Sequence, residues 1–209
     1  MTSVEDVTAF ILAGGKSSRM GEDKAFLELK GSTLLKRCLD LTRSLTPEAI
    51  IVGERSKFAR FGPVVEDVFR ERGPLGGIHA ALAATATDLN LMLAVDLPFV
   101  NAAFLKFLVK QARTTEAVVI LPRSRDGWQP LCAIYRRSFL TVAERSLTQG
   151  KNKIDPLFGI VPVLALQEDD LARRGFAPAL FRNINTPEEF AQAKRQRSQT
   201  VKAHRTTHS

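Results

Sequence analysis

The sequence predicts a three-layer α/β fold with a mostly parallel central sheet. Two observations lead to this prediction: short apolar runs alternate with longer helical patterns, and the run Leu91–Val95 is apolar at every position. Strands that alternate with helices are typical of βαβ units, and a wholly apolar strand is typical of a sheet covered on both faces. The 209 residues, 44% of them hydrophobic, suit one domain with a sizeable core.

Eight short apolar segments are predicted as strands. In chain order they are Val7–Leu12, Ala49–Val52, Val64–Val65, Leu91–Val95, Val118–Leu121, Leu131–Tyr135, Val161–Leu166 and Phe181–Ile184. A short apolar run bounded by polar residues is the pattern of a buried strand. Asp126-Gly127 is a turn signal shortly before Leu131–Tyr135, which indicates that this strand pairs antiparallel to its neighbour.

Five helical patterns separate the predicted strands. They are Thr33–Leu45, Gly76–Thr85, Ala102–Arg113, Ser138–Gln149 and Pro187–Arg197. The last begins with a capping box, in which Thr186 is the N-cap, Pro187 the first helical residue and Glu189 the third. The alternation is Rossmann-like, and ligands of such sheets bind beyond the carboxyl ends of the strands. That rule brings together Gly14, Gly53, Asp67, Asp96 and Asn185.

The net charge of +8 is unevenly distributed. Residues 191–209 contain five basic residues and no acidic one, so +8 less +5 leaves +3 for the rest of the chain. We expect a single domain over residues 1–197 and a disordered basic tail over residues 198–209. Nucleic acid is not expected as a partner, because no basic stripe is interleaved with aromatic residues for base stacking.

The sequence gives three indications of where the protein resides. Met1–Glu5 lacks the pattern of a signal peptide, and no apolar run approaches the roughly 20 residues needed to cross a bilayer. Cys38 and Cys132 lie in apolar surroundings on different predicted elements, as expected for buried free thiols in a reducing compartment. We therefore expect a cytoplasmic protein without a membrane partner.

The segment from Leu12 to Lys24 is the most informative part of the chain. It follows the first predicted strand and contains three glycines, with three cations within nine residues. Such a turn lets backbone N–H groups approach an anion, as a bound polyphosphate requires. Gly15-Lys16-Ser17 does not complete a Walker A motif, because the glycine required five residues earlier is replaced by Phe10. A solvated basic turn is the alternative.

The full string Leu-Ala-Gly-Gly-Lys-Ser-Ser-Arg-Met-Gly-Glu-Asp-Lys resembles the signature of the molybdenum cofactor guanylyltransferases, in the nucleotidyltransferase superfamily. The resemblance extends over roughly residues 5–195 through further blocks in the family's order. These are Glu66-Asp67, Gly73-Pro74-Leu75-Gly76-Gly77, Asp96-Leu97-Pro98, residues 129–135 and residues 183–189. Six blocks in order are a specific signal.

The resemblance implies a three-layer Rossmann-like nucleotidyltransferase fold and a Mg²⁺-dependent enzyme. The implied reaction transfers GMP from GTP to the terminal phosphate of the molybdenum-bearing molybdopterin, and it releases pyrophosphate. Proteins of molybdenum insertion and of molybdoenzyme maturation would be the partners. An acceptor phosphate is already ionised at neutral pH, so no serine–histidine or cysteine–histidine arrangement is needed, and the sequence indicates none.

Three side chains are the expected catalytic residues. Asp96 follows a buried strand and is placed to hold Mg²⁺ against phosphate oxygens, the alternative being a residue that caps the next helix or merely ends the strand. Lys24 and Arg19 would neutralise charge on the triphosphate. The resemblance makes Asp96 the metal ligand, and it implies nucleotide contacts from Leu12, Ala13, Gly14, Gly15, Lys24, Gly53, Asp67 and Asp96. Lys16 is left outside this set.

Other residues are expected to support the site. The carboxylate of Asp67 can accept paired hydrogen bonds from guanine, and Gly76 with Gly77 let a helix N-terminus approach a ligand. His79 is expected to be a packed helix residue and not a base. Strand spacing would place Asn183 and Asn185 on one face, and the resemblance places both near the metal or the pterin. Lys153, in the half of the chain where the family accepts its pterin, is a weaker candidate.

Two alternatives remain at this point. A sister enzyme of the same fold would transfer CMP to the pterin, or a nucleotide to a sugar phosphate. The Gly14-Gly15 pair favours guanylyl transfer, because cytidylyl enzymes tend to have alanine before one glycine. A non-catalytic carrier would bind GTP or pterin and release no pyrophosphate.

Overall fold

The structure is a computed structural model that describes residues 6–14, 23–47, 49–69, 71–184 and 186–196. It contains one eight-stranded sheet with helices on both faces. The strands are β1 (Val7–Leu12), β2 (Ala49–Val52), β3 (Val64–Val65), β4 (Leu89–Ala94), β5 (Val119–Ser124), β6 (Gly127–Trp128), β7 (Cys132–Arg136) and β8 (Val163–Gln167). The helices are α1 (Leu34–Thr42), α2 (Arg55–Phe58), α3 (Pro74–Ala83), α4 (Ala102–Ala112), α5 (Phe139–Thr148), α6 (Glu168–Arg173) and α7 (Pro187–Gln196). The predicted three-layer α/β class is therefore confirmed.

The strand order is β3-β2-β1-β4-β7-β5-β6, with β8 paired to β5. The pairs β3–β2, β2–β1, β1–β4 and β5–β8 are parallel, whereas β7 runs antiparallel to both β4 and β5. The prediction that the strand near residues 131–135 pairs antiparallel is confirmed. Because β1 and β4 are parallel neighbours, their carboxyl ends, at Leu12 and Ala94, lie side by side.

The core lies on both faces of the sheet. Along β1 the side chains alternate, so that Ala9 and Ile11 pack with α1 and α4, whereas Phe10 and Leu12 pack with α3 and α5. All six residues of β4 are buried, which agrees with the wholly apolar pattern of this segment. A smaller cluster joins α7 to α1 through Leu34, Ile184 and Ala193.

The prediction of a strand at Phe181–Ile184 is wrong. Pro178–Phe181 forms a 3-10 helix, and the segment that follows has no regular structure. Phe181 packs into the large core cluster, and Ile184 packs into the smaller one beneath α7. The two apolar side chains are therefore buried for separate reasons and do not belong to one strand.

Several boundaries and short elements differ from the predictions. The helices α2 and α6 were not predicted, because each is short and largely polar. The predicted helix begins at Thr33, whereas in the structure Thr33 is the N-cap before α1 and accepts a hydrogen bond from the Lys36 N–H at 3.2 Å. The predicted capping box at α7 is confirmed, with reciprocal hydrogen bonds of 3.0 and 3.2 Å between Thr186 and Glu189. Residues 197–209, including the expected tail, lie outside the described residues.

Within the described residues, no helix is long and apolar enough to span a membrane. Cys38 and Cys132 are both buried and unbridged, as predicted. Cys38 lies on α1 and Cys132 begins β7. Burial raises the pKa of the Cys38 thiol from 9.0 to about 12 and that of Cys132 further still.

Candidate active site

The carboxyl ends of β1 and β2 are held together where the glycine-rich segment begins. The N–H groups of Ala13 and Gly14 both donate to the carbonyl of Val52 at 3.0 Å. A side chain on Gly53 would come within 2.7 Å of the Phe58 ring, so this glycine is required for packing beside Gly14. Leu12 and Ala13 are buried and Gly14 is exposed, so the chain reaches the surface at this glycine.

Asp96 lies just beyond the carboxyl end of β4, next to the end of β1. The Val95 N–H donates to the carbonyl of Leu12 at 3.2 Å, which fixes the two strand ends together. The carbonyl of Asp96 accepts from the Ile184 N–H at 3.0 Å. The segment containing Asn183 is thereby held next to Asp96, although it is not the predicted strand.

Lys24 and Asp96, 72 residues apart in sequence, form an ion pair. The Nζ–Oδ2 distance is 3.4 Å, and each side chain is about one-fifth exposed, at 21% and 20%. This distance is long for a charge-assisted hydrogen bond between an ammonium group and a carboxylate. The structure thus brings together two of the three predicted catalytic residues.

One carboxylate oxygen of Asp96, Oδ1, is buried and unpaired within the described part of the chain. Buried polar atoms are nearly always satisfied, so this unpaired oxygen at a strand end is a candidate ligand position. Asn101, and not Asp96, caps α4 by accepting from the Phe104 N–H at 2.9 Å. The helix-cap alternative for Asp96 is therefore wrong.

Asp23 is a contributor that the sequence reasoning missed. Its Oδ1 accepts from the Ala25 N–H at 3.1 Å and caps the 3-10 helix Lys24–Phe26. Its Oδ2 lies 3.6 Å from the Nζ of Lys57. An aspartate two residues before the N–H it accepts from is an Asx turn, which was the available signal. Asp23 therefore fixes the backbone from which Lys24 projects.

Asp67 lies against the N-terminal turn of α3. A Cβ atom on Gly76 would be 2.4 Å from the Asp67 Oδ2, so the glycine leaves the space that the carboxylate occupies. The Phe69 N–H donates to the Asp67 Oδ1 at 2.8 Å. Desolvation raises the pKa of Asp67, and the Phe69 hydrogen bond and the nearby His79 act against that rise. A half-buried carboxylate that lacks full compensation is suited to accept donors from a ligand.

The remaining predicted site residues have different surroundings. A Cβ atom on Gly77 would face Leu12 and Val52 at 3.6 and 3.7 Å. This glycine therefore packs α3 against the sheet and does not face the strand ends where Asp96 lies. Asn183 and Lys153 are exposed. Four of the predicted or considered residues, Gly15, Lys16, Arg19 and Asn185, lie outside the described residues.

The carboxyl ends of the parallel strands form one edge of the sheet, called the edge below. The β5–β6 hairpin lies at one end of it. The Gln129 side-chain amide donates to the Ser124 Oγ at 3.1 Å, and the Tyr135 hydroxyl donates to the carbonyl of Pro130 at 2.9 Å. Because β5 runs parallel to β8 and antiparallel to β7, this hairpin emerges at the same edge as Asp96. The edge therefore extends from Asp67 at one end, through Asp96, to the hairpin at the other.

The chain is similar to known proteins over most of its length. The family model of the MobA-like NTP transferase domain matches residues 9–158, which include Gly14, Lys24, Asp67 and Asp96. A molybdenum cofactor guanylyltransferase of Desulfosudis oleivorans is 36% identical over 196 residues, covering 91% of this chain and 96% of the relative. A probable molybdenum cofactor guanylyltransferase of Pelotomaculum thermopropionicum is 33% identical over 189 residues, covering 90% and 91%.

A solved structure has the same fold. The molybdopterin-guanine dinucleotide biosynthesis protein A of Archaeoglobus fulgidus superposes with a TM-score of 0.79 at 27% identity, covering 92% of this chain and 99% of that one. A 4-diphosphocytidyl-2C-methyl-D-erythritol synthase of Anaerococcus prevotii superposes with a TM-score of 0.67 at 14% identity, which shows the fold alone.

Proposed function

This chain belongs to the MobA-like NTP transferase family, the group predicted from its motifs, and is a nucleotidyltransferase; we propose that it transfers GMP from GTP to molybdenum-bearing molybdopterin. The product is molybdopterin guanine dinucleotide, and pyrophosphate is released. The observation that carries the proposal is the Lys24–Asp96 pair, in which Asp96 Oδ1 is buried and without a partner. The names of the relatives supply the choice of nucleotide and acceptor.

In the proposed reaction, an oxygen of the acceptor's terminal phosphate forms a bond to the α-phosphorus of GTP. The bond between that phosphorus and the oxygen that bridges to the β-phosphate breaks, and pyrophosphate leaves with the electron pair. The acceptor oxygen carries no proton at neutral pH, so the protein need not supply a base. Its contribution would be to position the two phosphates and to offset charge, and Lys24 would serve the second role, which its ion pair with Asp96 supports.

The residues present fit a Mg²⁺ ion. Mg²⁺ uses one or two carboxylates and completes its shell with water and phosphate oxygens. Asp96 would hold it through Oδ1, and the ion would neutralise charge on the triphosphate. Arg19 would add a planar fork for the phosphate oxygens, and Gly14 and Gly15 would let the backbone approach them. Asn183 and Asn185 would support the site, since the N–H of Ile184 between them donates to the Asp96 carbonyl.

The test is pyrophosphate release from GTP, Mg²⁺ and molybdenum-bearing molybdopterin. We expect Asp96→Ala to reduce turnover by on the order of 10³-fold while the circular dichroism spectrum stays unchanged. Asp40→Ala is the matched control, because it removes a carboxylate whose ion pairs with Lys36 and Arg43 are exposed. Normal magnesium-dependent turnover in Asp96→Ala would contradict the proposal.

The alternatives give different results in the same experiment. A carrier would bind GTP or pterin without releasing pyrophosphate. A sister enzyme would release pyrophosphate faster from CTP than from GTP, or with a sugar phosphate as the acceptor. Titration calorimetry with GTP, CTP, UTP and ATP, each with Mg²⁺, would identify the preferred nucleotide first. Molybdenum-insertion and molybdoenzyme-maturation proteins are the proposed partners, and pull-down with the purified chain tests them.

A further inference from the structure

A buried histidine lies on the face of α3 that meets Asp67. His79 is 6% exposed, and it follows Gly76 by three residues, so the two residues share one face of the helix. The Gly76 position on that face is in contact with the Asp67 carboxylate. His79 therefore faces the turn formed by residues 67–69, one helical turn further along.

Phe69 connects His79 to Asp67. The Phe69 ring meets the imidazole edge-on, with ring centroids 4.9 Å apart and an interplanar angle of 87°. The N–H of the same residue donates to the Asp67 Oδ1 at 2.8 Å. The orientation of the carboxylate is thus fixed by a residue whose side chain is in contact with His79.

The imidazole is not explained by packing alone. Its Nδ1 atom is buried and has no hydrogen-bond partner in the described part of the chain. Leucine would occupy a similar volume without burying an unpaired nitrogen, so the polar ring costs stability that an apolar residue would not. The His79 ring also acts electrostatically on Asp67, where it favours the ionised carboxylate against the effect of desolvation.

We infer that His79 is a positioning residue for purine recognition: its imidazole, held edge-on against Phe69, keeps the Asp67 carboxylate turned to accept the N1–H and 2-amino donors of guanine. The inference rests on the proposed function, because it takes GTP as the nucleotide. A carboxylate is an acceptor-only group, and its two oxygens match the two donors on that edge of guanine. Adenine and cytosine do not present this pair of donors.

The experiment compares the dissociation constants of GTP and ITP with Mg²⁺ by titration calorimetry. ITP lacks only the 2-amino group, so the ratio of the two constants measures one of the hydrogen bonds to Asp67. We expect the wild-type chain to prefer GTP by about 10-fold, and Asp67→Ala to bind both nucleotides equally. His79→Leu keeps the buried volume, and we expect its preference to fall below about 3-fold.

Two further variants separate positioning from folding. His79→Phe retains a ring that can meet Phe69 edge-on, and we expect it to recover most of the preference for GTP. Leu82→Ala removes another fully buried side chain from the same helix, one turn further from Asp67. It should lower Tm while the ratio stays at the wild-type value. A merely structural role for His79 would weaken both nucleotides equally and leave the ratio unchanged.

The outcomes distinguish this inference from the proposed function. A wild-type preference for GTP that His79→Leu retains, in a folded chain, overturns the inference alone. A wild-type chain that binds GTP and ITP equally overturns the inference together with the assignment of Asp67 to guanine. A wild-type chain that binds CTP in preference to both overturns the choice of GTP in the proposed function.

Discussion

Substitution of Gly76 by alanine is the sharpest test of the geometry around Asp67. The added Cβ would lie 2.4 Å from the Asp67 Oδ2 and 3.0 Å from both the Cγ and the Oδ1. Atoms do not approach so closely, and α3 is anchored by the buried Leu75 and Ile78, so the carboxylate is the group that must move. We therefore expect Gly76→Ala to turn Asp67 away from its present position without unfolding the chain.

The size of the effect follows from the hydrogen bonds involved. Hydrogen bonds to a charged group contribute about 1.5–3 kcal/mol, so loss of the Asp67–guanine contact should raise the Kd of GTP by roughly 10- to 150-fold. The free energy of unfolding should change little. Alanine in place of a helical glycine adds about 0.5–1 kcal/mol, and loss of the Phe69 N–H bond to Asp67 removes about 1 kcal/mol.

The assay is titration calorimetry with GTP and Mg²⁺, alongside thermal melts of each variant. Gly77→Ala is the control for helix propensity, because its methyl group would make ordinary contacts of 3.6 and 3.7 Å with Leu12 and Val52. It should raise Tm by about 2–4 °C. Asp67→Ala supplies the reference for complete loss of the contact. If Asp67→Ala loses GTP affinity and Gly76→Ala keeps it, the packing of Asp67 on α3 is wrong.

Two further predictions concern the core. Because the Cys38 thiol has a pKa of about 12 in the folded chain and 9.0 as its ordinary value, unfolding releases a proton above pH 9.0. The free energy of unfolding should therefore fall as the pH rises from 9 toward 12. Guanidinium melts at several pH values should show a smaller fall in Cys38→Ala than in the wild-type chain. An equal fall in both would show that the Cys38 thiol is not responsible. Tyr135→Phe removes the 2.9 Å hydrogen bond to the Pro130 carbonyl and should cost about 1 kcal/mol, or roughly 2–4 °C in Tm. An unchanged thermal melt would show that this bond contributes nothing to the hairpin.

The sequence was sufficient for β1 and β2, two of the strands whose carboxyl ends form the edge. Val7–Leu12 and Ala49–Val52 are apolar runs bounded by polar residues, and the structure confirms both to the residue. Phe181–Ile184 is apolar only at its two ends, and these two side chains pack into different clusters. Apolar side chains indicate that a segment is buried, but they do not indicate its backbone conformation. A short segment with two apolar residues can therefore be a strand or an irregular turn with two buried side chains.

The sequence indicated candidate site residues, but it did not indicate the contacts between them. Asp67, Gly76 and Asp96 were predicted from motifs, but a motif does not contain the 2.4 Å approach that makes Gly76 necessary. The same holds for Gly53, where a side chain would collide with the ring of Phe58, five residues later. His79 was correctly predicted as a packed residue, and its contact with Phe69 depends on the turn between β3 and α3.

Two of the unpaired buried atoms of the described residues lie where the proposed ligand would bind. Among the described residues, four buried side-chain atoms lack a hydrogen-bond partner, and two of them, Asp96 Oδ1 and His79 Nδ1, lie at or beside the site. A third group, the half-buried Asp67, has a raised pKa because its charge is desolvated. Each is unfavourable in the isolated chain, and a ligand that satisfies any of them must bind the folded state better than the unfolded one. GTP with Mg²⁺ should therefore raise Tm in proportion to the logarithm of its concentration, whereas a variant that has already lost Asp96 should gain much less.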